Sequence, residues 1–538
     1  MSEKQKSFVK GAAVLMVAGL IVKILGALYR IPLTSAITTT GMGYYNVAYP
    51  IYATLLVVST AGLPVAISKI VSEHIAMGDY TGAHNVFRVA RRVLLLLGII
   101  MTAVMLLLSG PISNAVMQEK SIYSLLAISP ALFFVSILSA YRGYFQGMQM
   151  MGPTAITQVI EQVFKLVMGL SLAYAWLPMG VEYGAAGALV GVVISEVAAL
   201  IVIMLIYGGN RKAIMSRVDP NHLTKKDLHF KFNVTKLLKI AVPVTLGACI
   251  MPIVVAIDSG VVSTNLQYIG YSAEQAASMY GTLTGVVNTL VNMPAVLSSA
   301  LAMSLVPAIS EAVAKKNGPL VRSRVSFGVK LAILVGLPAA VGFILLGQPI
   351  IRMLYRSLGA DELALATSLM QMLSLSILFL TLVQTTNALL QGMGHPVKPV
   401  ISLAVGAGVK VVLSIVLIRI PEINVMGAVY GTMACYIIAA IMNLIFVHQE
   451  SHFKASAKNH VLKPIAATAV MGVVAYLVYR VLGDKSNTLG VICAIVAALI
   501  VYFIIIFALR TLTDEELALM PGGGRLRRIA AKFGRRGR

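Results

Sequence analysis

Charged side chains are scarce in this chain. Only 12% of its 538 residues are Asp, Glu, Lys or Arg, whereas 58% are hydrophobic. A soluble globular domain carries about 25% charged residues. Because the deficit extends over the whole length, the composition excludes an ordinary soluble domain and predicts a membrane protein with many spans.

Motifs that carry enzymatic or metal chemistry are also missing. The sequence has no GxxxxGK[ST] phosphate-binding loop, no HExxH zinc motif and no paired aspartates of the kind that hold Mg²⁺ and pyrophosphate. The three cysteines, Cys249, Cys435 and Cys493, lie far apart within apolar segments and form no disulfide framework. We therefore expect no enzymatic activity, no metal site and no cofactor, and any bound ion would be a coupling Na⁺ or H⁺.

The apolar residues form continuous runs of about 20 residues, which is the length of a membrane-spanning helix. A membrane β-barrel would instead show short segments that alternate between apolar and polar residues. The runs predict an all-α polytopic protein with fourteen spans. The predicted spans are residues 10–30, 44–71, 88–109, 122–146, 154–176, 184–208, 236–264, 279–307, 327–348, 365–391, 397–418, 425–447, 463–482 and 489–510.

The net charge of +23 would suggest a nucleic-acid partner in a soluble protein. Here Lys and Arg lie mainly in alternate loops, so we interpret them as topology signals and as contacts with membrane lipids. With the N-terminus in the cytoplasm, the strongly basic segments lie on the cytoplasmic side and the outer loops contain few Lys or Arg residues. This pattern predicts both termini in the cytoplasm, an uncleaved first helix and no nucleic-acid partner.

The chain contains an internal repeat. A Gln-Gly-Met triplet closes the fourth predicted span at Met148 and the tenth at Met393, and Ala66-Ile67-Ser68 matches Ala308-Ile309-Ser310. Duplicated bundles of this kind are typical of alternating-access transporters. We predict a six-helix N-lobe at 1–208, a basic linker at 209–235, a six-helix C-lobe at 236–448, a helix pair at 449–510 and a basic tail at 511–538.

Two cations, Lys23 and Arg30, lie within the first apolar segment. A lipid-facing cation at the centre of a span costs roughly 2.5–3.5 kcal/mol on insertion scales, and such residues usually face a wet interior. Seven residues make about two helical turns, so both cations fall on one face. We predict that this face binds an anionic head group. The alternative is that Arg30 and Lys23 snorkel to the interface and that Lys69, in the second span, is a positive-inside anchor.

Among the other ionisable residues within predicted spans, five carry predictions: Glu161, Lys165, Glu196, Asp258 and Lys410. Glu161 and Lys165 are spaced i, i+4 and predict a structural ion pair. Glu196 is expected to pair within its own lobe. Asp258 either pairs with Lys410 or binds a coupling Na⁺ or H⁺, as intramembrane carboxylates often do.

Taken together, these features resemble the multidrug/oligosaccharidyl-lipid/polysaccharide (MOP) exporter superfamily. The resemblance rests on the fourteen-span plan, the repeated Gln-Gly-Met ends, the first-helix pattern Lys23-x-x-Gly26-x-x-Tyr29-Arg30, and Leu63-Pro64-x-x-x-Ser68-Lys69. Within the superfamily the chain is most similar to the polysaccharide transporter branch, which includes the stage V sporulation protein B and MurJ-like lipid II flippases.

The resemblance implies a V-shaped, two-lobed bundle in the bacterial cytoplasmic membrane. Its central cavity would move an undecaprenyl-pyrophosphate-linked peptidoglycan precursor, lipid II, from the inner to the outer leaflet. It also implies that the last two helices line a groove for the polyprenyl tail. We expect a monomer that contacts membrane lipids. Contacts with the cell-wall synthesis machinery stay open, as does the choice between a role in growth and a role in sporulation.

Lys23 matches the first basic residue that the family carries in its first helix, and Lys69 matches a basic residue of the second helix. A second basic position of the first helix falls on Tyr29, with Arg30 one place later. The arginine that the family carries in the eighth helix is absent, and Thr289 stands in its place.

A pyrophosphate that leaves water needs hydrogen-bond donors as well as cations. We therefore expect Asn46, Asn288 and Asn292 to be polar neighbours of the head group. Three alternatives stay open: a flippase for another polyprenyl-linked oligosaccharide, a multidrug/Na⁺ antiporter of the same superfamily, and a membrane enzyme or non-transporting scaffold of cell-envelope assembly.

Overall fold

The computed structural model describes residues 3–216, 218, 230–453, 456–513 and 516. This part of the chain contains seventeen α-helices, one 3₁₀ turn (Leu177–Met179) and two π-helical turns (Thr282–Val287 and Ala457–Leu462). The helices are α1 (Glu3–Thr60), α2 (Gly62–Ala76), α3 (Tyr80–Ala115), α4 (Ser121–Ile128), α5 (Ala131–Gly147), α6 (Gly152–Trp176), α7 (Val181–Met215), α8 (Phe230–Tyr268), α9 (Ala273–Gly281), α10 (Asn288–Ala314), α11 (Gly318–Leu354), α12 (Ala360–Ser374), α13 (Ser376–Gly392), α14 (Val397–Ile418), α15 (Met426–Ser451), α16 (Lys463–Leu482) and α17 (Asn487–Ala508).

Eleven helical segments of the described chain are long and apolar enough to cross a membrane, or twelve if the bent pair α12–α13 forms one span. The prediction of a helical, multi-pass membrane protein is therefore confirmed. The count of fourteen is not reached, for two reasons. The candidate Val17–Ala76 includes two predicted spans, and no candidate among the described residues covers the predicted span 279–307. Fourteen spans thus remain a prediction.

Helix α1 is two helices joined at one strained residue. Its 58 residues would extend about 87 Å if straight, far more than the roughly 30 Å hydrocarbon core of a bilayer. Thr38 interrupts the helix with φ 62° and ψ 175°, a backbone region that is almost reserved for glycine. The chain therefore bends between the first and second predicted spans without an intervening loop.

The described helices group into two compact units. The first comprises Met1–Gly285 with Arg419–Glu422, and the second comprises Val286–Ile418 with Ile423–Arg538. In the first unit, α8 packs against α1 and α2, and α9 packs against α1. The boundary after Gly285 lies in the π turn, whereas residues 217 and 219–229 of the predicted linker 209–235 lie outside the described residues. The division into two six-helix lobes stays a prediction.

The repeated sequence motifs occupy equivalent places within the two units. Gly147 ends α5, and a Cβ added to it would lie 2.9 Å from the carbonyl oxygen of Ser68. Gly392 ends α13, and its added Cβ would lie 3.2 Å from the carbonyl oxygen of Val306 and from Cβ of Ile309. In each unit the glycine of Gln-Gly-Met thus packs against the helix that carries the matching Ala-Ile-Ser segment.

Glycines allow α1 and α9 to approach with their backbones almost in contact. A Cβ on Gly281 would lie 1.8 Å from the carbonyl oxygen of Thr39, and one on Gly43 would lie 2.2 Å from the carbonyl oxygen of Ala277. Beside them, the Thr39 and Ser278 hydroxyls share a hydrogen bond of 2.8 Å. Small residues of this kind drive helix association in membranes, where apolar side chains gain little by meeting each other.

We expect Gly281→Ala to lower the thermal stability of the purified protein. The new methyl group would meet rigid backbone and force α9 away from α1, at a cost of about 1–3 kcal/mol or more. The matched control is Gly110→Ala in α3, where the added carbon meets nothing within 4 Å and alanine is the better helix former. Equal melting temperatures for both variants in detergent would contradict the close contact.

Candidate functional site

Of the predicted head-group cations of α1, Arg30 directly follows the buried Tyr29, and Lys23 lies about two turns earlier in the helix. Lys23 is exposed, Arg30 is partly buried, and the adjacent Tyr29 is buried. The ring of Tyr29 packs against α6, since a Cβ on Gly169 would lie 2.7 Å from its hydroxyl oxygen. The first unit therefore anchors α1 through Tyr29 and leaves Lys23 accessible.

A lysine of α6 lies among the tyrosines of α1. Lys165 donates a hydrogen bond of 3.2 Å to the Tyr49 hydroxyl. Its Nζ atom lies 4.7 Å from the ring centroid of Tyr49 and 5.6 Å from that of Tyr29. The rings of Tyr45 and Tyr49 stack with their centroids 5.5 Å apart. A cation over desolvated aromatic faces is stabilised by about 2 kcal/mol. The tyrosines therefore hold Lys165, to which no carboxylate of the described residues bonds.

The predicted ion pair between Glu161 and Lys165 is replaced by a different pair. Glu161 accepts a 2.9 Å hydrogen bond from Nη2 of Arg142, and Nε of Arg142 donates to the Thr157 hydroxyl at 3.2 Å. Arg142 lies on α5, one turn before the Gln-Gly-Met repeat, and reaches α6 across the helix hairpin. The sequence spacing indicated an intrahelical partner, but the guanidinium of the neighbouring helix competes successfully for the carboxylate because it binds Thr157 as well.

Glu196 of α7 completes this group, which we name the N-unit charge cluster: Arg142, Glu161, Lys165 and Glu196. The Glu196 side chain is buried, and its Oε2 atom has no hydrogen-bond partner among the residues that the structure describes. The charged residues that act on it are Glu161, Arg142 and Lys165. The expectation that Glu196 forms a pair within its own lobe is therefore wrong for the described chain.

The predicted polar neighbours of the head group lie in different surroundings. Asn46 is buried and donates a 2.9 Å hydrogen bond to the Thr284 hydroxyl, so its amide group links α1 to the π turn. Asn288 is partly buried at the start of α10, and Asn292 is exposed and donates to the Asn288 carbonyl at 2.7 Å. Asn46 belongs to the first unit, and the other two belong to the second.

Two further predicted residues lie in the first unit. Lys69 is exposed on α2, one turn before Glu73, which pairs with Lys236 of α8 at 3.1 Å. Asp258 is partly buried on α8, and it acts electrostatically on the buried Tyr280, as does Arg30. Lys410, the partner proposed for Asp258, lies on α14 in the second unit. The described residues include no group of three or more His, Cys, Asp or Glu side chains that could hold a metal ion.

An apolar groove lies in the second unit at the last two helices. It has a volume of about 370 Å³ and is lined by α10, α11, α16 and α17. Its walls include Pro294, Phe343, Met471 and Tyr502, whose hydroxyl bonds to the Leu334 carbonyl at 2.8 Å. Because Tyr502 is satisfied internally, the groove presents almost only carbon atoms, which suits a hydrocarbon chain.

Sequence reasoning identified Glu161, Lys165 and Glu196 of the charge cluster but missed Arg142 and the tyrosines of α1 near the cluster. These tyrosines are Tyr45, Tyr49 and Tyr52. Their spacing of four and three residues places the three tyrosines on one helix face, which is a signal that the sequence did contain. No sequence signal indicated that Arg142 would reach Glu161.

Comparison with known proteins decides the family. The model of the polysaccharide biosynthesis protein family matches residues 8–313, which is more than half of the chain. The protein belongs to this family. The MatE family model matches residues 282–416 in addition, so the chain is a member of the MOP superfamily, in its stage V sporulation protein B and MurJ-like group.

Individual relatives align with most or nearly all of the chain. It is 28% identical to stage V sporulation protein B of Bacillus subtilis (strain 168) over 97% of this chain and 99% of the relative. It is 30% identical to lipid II flippase MurJ of the same organism over 88% and 89% of the two chains. A solved structure of lipid II flippase MurJ in an inward closed conformation aligns with a TM-score of 0.63 at 18% identity, over 92% of this chain and 98% of that one.

Proposed function

We propose that the protein is an alternating-access flippase for a polyprenyl-pyrophosphate-linked glycan, with lipid II as its cargo. The cargo would move from the inner to the outer leaflet of the bacterial cytoplasmic membrane. The observation that carries the proposal is the accessible Lys23 with Arg30 on α1, because a pyrophosphate is the ligand that such cations favour. Similarity to stage V sporulation protein B and to lipid II flippase MurJ supports the same cargo.

The two ends of such a cargo require different surroundings. Lys23, Arg30 and Lys69 supply positive charge for the head group, and Tyr29 fixes the helix that carries the first two. The apolar groove of α10, α11, α16 and α17 is large enough for a segment of a hydrocarbon chain. A polyprenyl tail that stays in this groove or in lipid avoids the free-energy cost of exposing its apolar surface in a polar cavity.

The membrane potential provides a driving force for an anionic cargo. An inside-negative potential favours outward movement by about 2.3 kcal/mol per charge per 100 mV. Cations that bind too tightly would prevent release on the outer side. Partly hydrated cations such as the exposed Lys23 therefore suit the proposed cycle better than a fully enclosed clamp.

The decisive experiment measures lipid II on each leaflet in cells that contain this protein as their single flippase of the family. On depletion we expect lipid II that a membrane-impermeant enzyme can reach from outside to fall at least tenfold, while the total amount rises. If the distribution of lipid II is unchanged but another surface polysaccharide is lost, the cargo is another polyprenyl-linked glycan and not lipid II. If both stay unchanged, the glycolipid proposal is wrong.

A further inference from the structure

The N-unit charge cluster contains a carboxyl group that the proposed flipping mechanism does not use. Glu196 lies in the middle of α7 with only 4% of its surface exposed. Its Oε2 atom is enclosed by protein and has no hydrogen-bond partner among the described residues. An ionised carboxylate in such a place loses its hydration without gaining donors, which is among the most costly arrangements in a protein.

The helices packed against α7 bring a defined set of ionisable groups toward Glu196. Helix α6 contributes Glu161 and Lys165, α5 contributes Arg142, and α1 contributes Tyr52. Helix α4 also packs against α7, but its only ionisable side chain, Tyr123, contacts Tyr183 near the beginning of α7. Two cations and two carboxyl groups therefore determine the electrostatics of the cluster.

Both cations of the cluster are already engaged elsewhere. Arg142 bonds to Glu161 and Thr157, and Lys165 bonds to the Tyr49 hydroxyl and lies over aromatic rings. Glu196 thus faces a second carboxylate, Glu161, without a bonded counter-ion of its own. A neutral, protonated carboxyl is the form of Glu196 that this geometry accommodates.

We propose that Glu196 is a proton-binding site and that Arg142 alternates between two carboxylates as the proton is bound or released. In the described conformation the proton is on Glu196 and Arg142 is on Glu161. On release, the O–H bond of Glu196 breaks, the electron pair stays on oxygen and the proton passes to water. Arg142 then pairs with the Glu196 carboxylate.

The second half of the exchange follows from helix spacing. Once Arg142 leaves, Glu161 has Lys165 one turn away at i, i+4, the spacing at which opposite charges on a helix meet. Lys165 would leave the Tyr49 hydroxyl to form this pair. The cluster then changes from one net positive charge, with Glu196 protonated, to neutrality, with two ion pairs.

This exchange would act on the head-group site through Tyr29. Lys165 lies over the Tyr29 ring, and Arg30 is the next residue along α1. A protonated Glu196 leaves Lys165 unneutralised close to these residues and so favours a bound anion, whereas deprotonation removes that charge. The coupling role rests on the proposed flippase function, but the proton-binding site does not.

The site is tested first by infrared spectroscopy of the full-length protein in lipid vesicles at neutral pH. We expect a carboxylic acid C=O band that is absent from Glu196→Gln and retained in the control Glu182→Gln. Glu161→Gln leaves Arg142 free to pair with Glu196 and is expected to weaken the band. Glutamine has the shape of the protonated side chain, and gel filtration verifies the fold. Absence of the band from the wild type, or its persistence in Glu196→Gln, overturns the proton-binding site.

The coupling role is tested by transport in vesicles that contain lipid II. We expect the wild-type rate to change at least threefold between pH 6 and pH 8 and the rate of Glu196→Gln to be independent of pH. Asp258→Asn, the coupling residue predicted from sequence, serves as the comparison. A pH dependence that survives in Glu196→Gln and disappears in Asp258→Asn assigns coupling to Asp258. If the wild type transports no lipid II, the proposed function fails while the infrared result stands.

Discussion

Replacing Lys23 and Arg30 together by alanine is expected to leave the protein inserted and folded but to reduce glycolipid flipping at least a hundredfold. Each charge-assisted hydrogen bond to a phosphate contributes about 1.5–3 kcal/mol. Loss of two such interactions corresponds to a factor of more than one hundred in affinity. The measurement is the flipping rate of lipid II in vesicles, with the amount of inserted protein determined in the same samples.

The matched control removes two cations that lie outside the predicted spans. Lys315 is exposed and paired with the exposed Glu311, and Arg356 is exposed after α11. Lys315→Ala combined with Arg356→Ala should therefore retain wild-type flipping. If the α1 double variant also retains it, these cations have no part in head-group binding and the snorkelling interpretation applies to them.

The second large effect concerns a buried ion pair in the second unit. Lys330 of α11 donates hydrogen bonds of 2.7 and 2.9 Å to the two carboxylate oxygens of Glu516. The two side chains are only 6% and 10% exposed. The Glu516 carboxylate also accepts a 2.8 Å hydrogen bond from the Thr513 amide. Lys330→Met would leave this carboxylate buried without its cation, at a cost of about 3–5 kcal/mol.

This prediction is checked by thermal unfolding of the purified protein in detergent. Lys330→Met should lower the melting temperature strongly, and Lys330→Met combined with Glu516→Leu should recover most of the loss, because replacing both partners by apolar groups is often neutral. Lys315→Ala, which breaks the exposed pair with Glu311, is the control and should change little. Equal stability of the single and double variants would mean that the pair is not formed.

Sequence reasoning succeeded where the physical signal is local. Continuous apolar runs can only be helices in a bilayer, so the helical multi-pass architecture followed directly. The repeat was visible because Gly147 and Gly392 meet the same steric requirement in the two units. The cations of α1 were conspicuous because charge is scarce in an apolar segment.

The remaining features depend on which helices become neighbours. Arg142 and Glu161 meet across a hairpin, and Lys330 and Glu516 are almost two hundred residues apart. The i, i+4 spacing gave Glu161 a plausible partner in Lys165, and only packing reveals that Arg142 takes its place. Glu196 illustrates the same limit, because a lone carboxyl in a span reveals neither its burial nor the absence of a donor.

The bend of α1 stores energy. A threonine held at φ 62° carries about 1–3 kcal/mol of backbone strain, and the adjoining contact of Thr39 with α9 helps to hold it. The strain opposes that contact, so the two helices separate more readily than their tight fit alone would suggest. The close contact of α1 with α9, which Gly43 and Gly281 permit, thus stabilises α1 in a strained conformation.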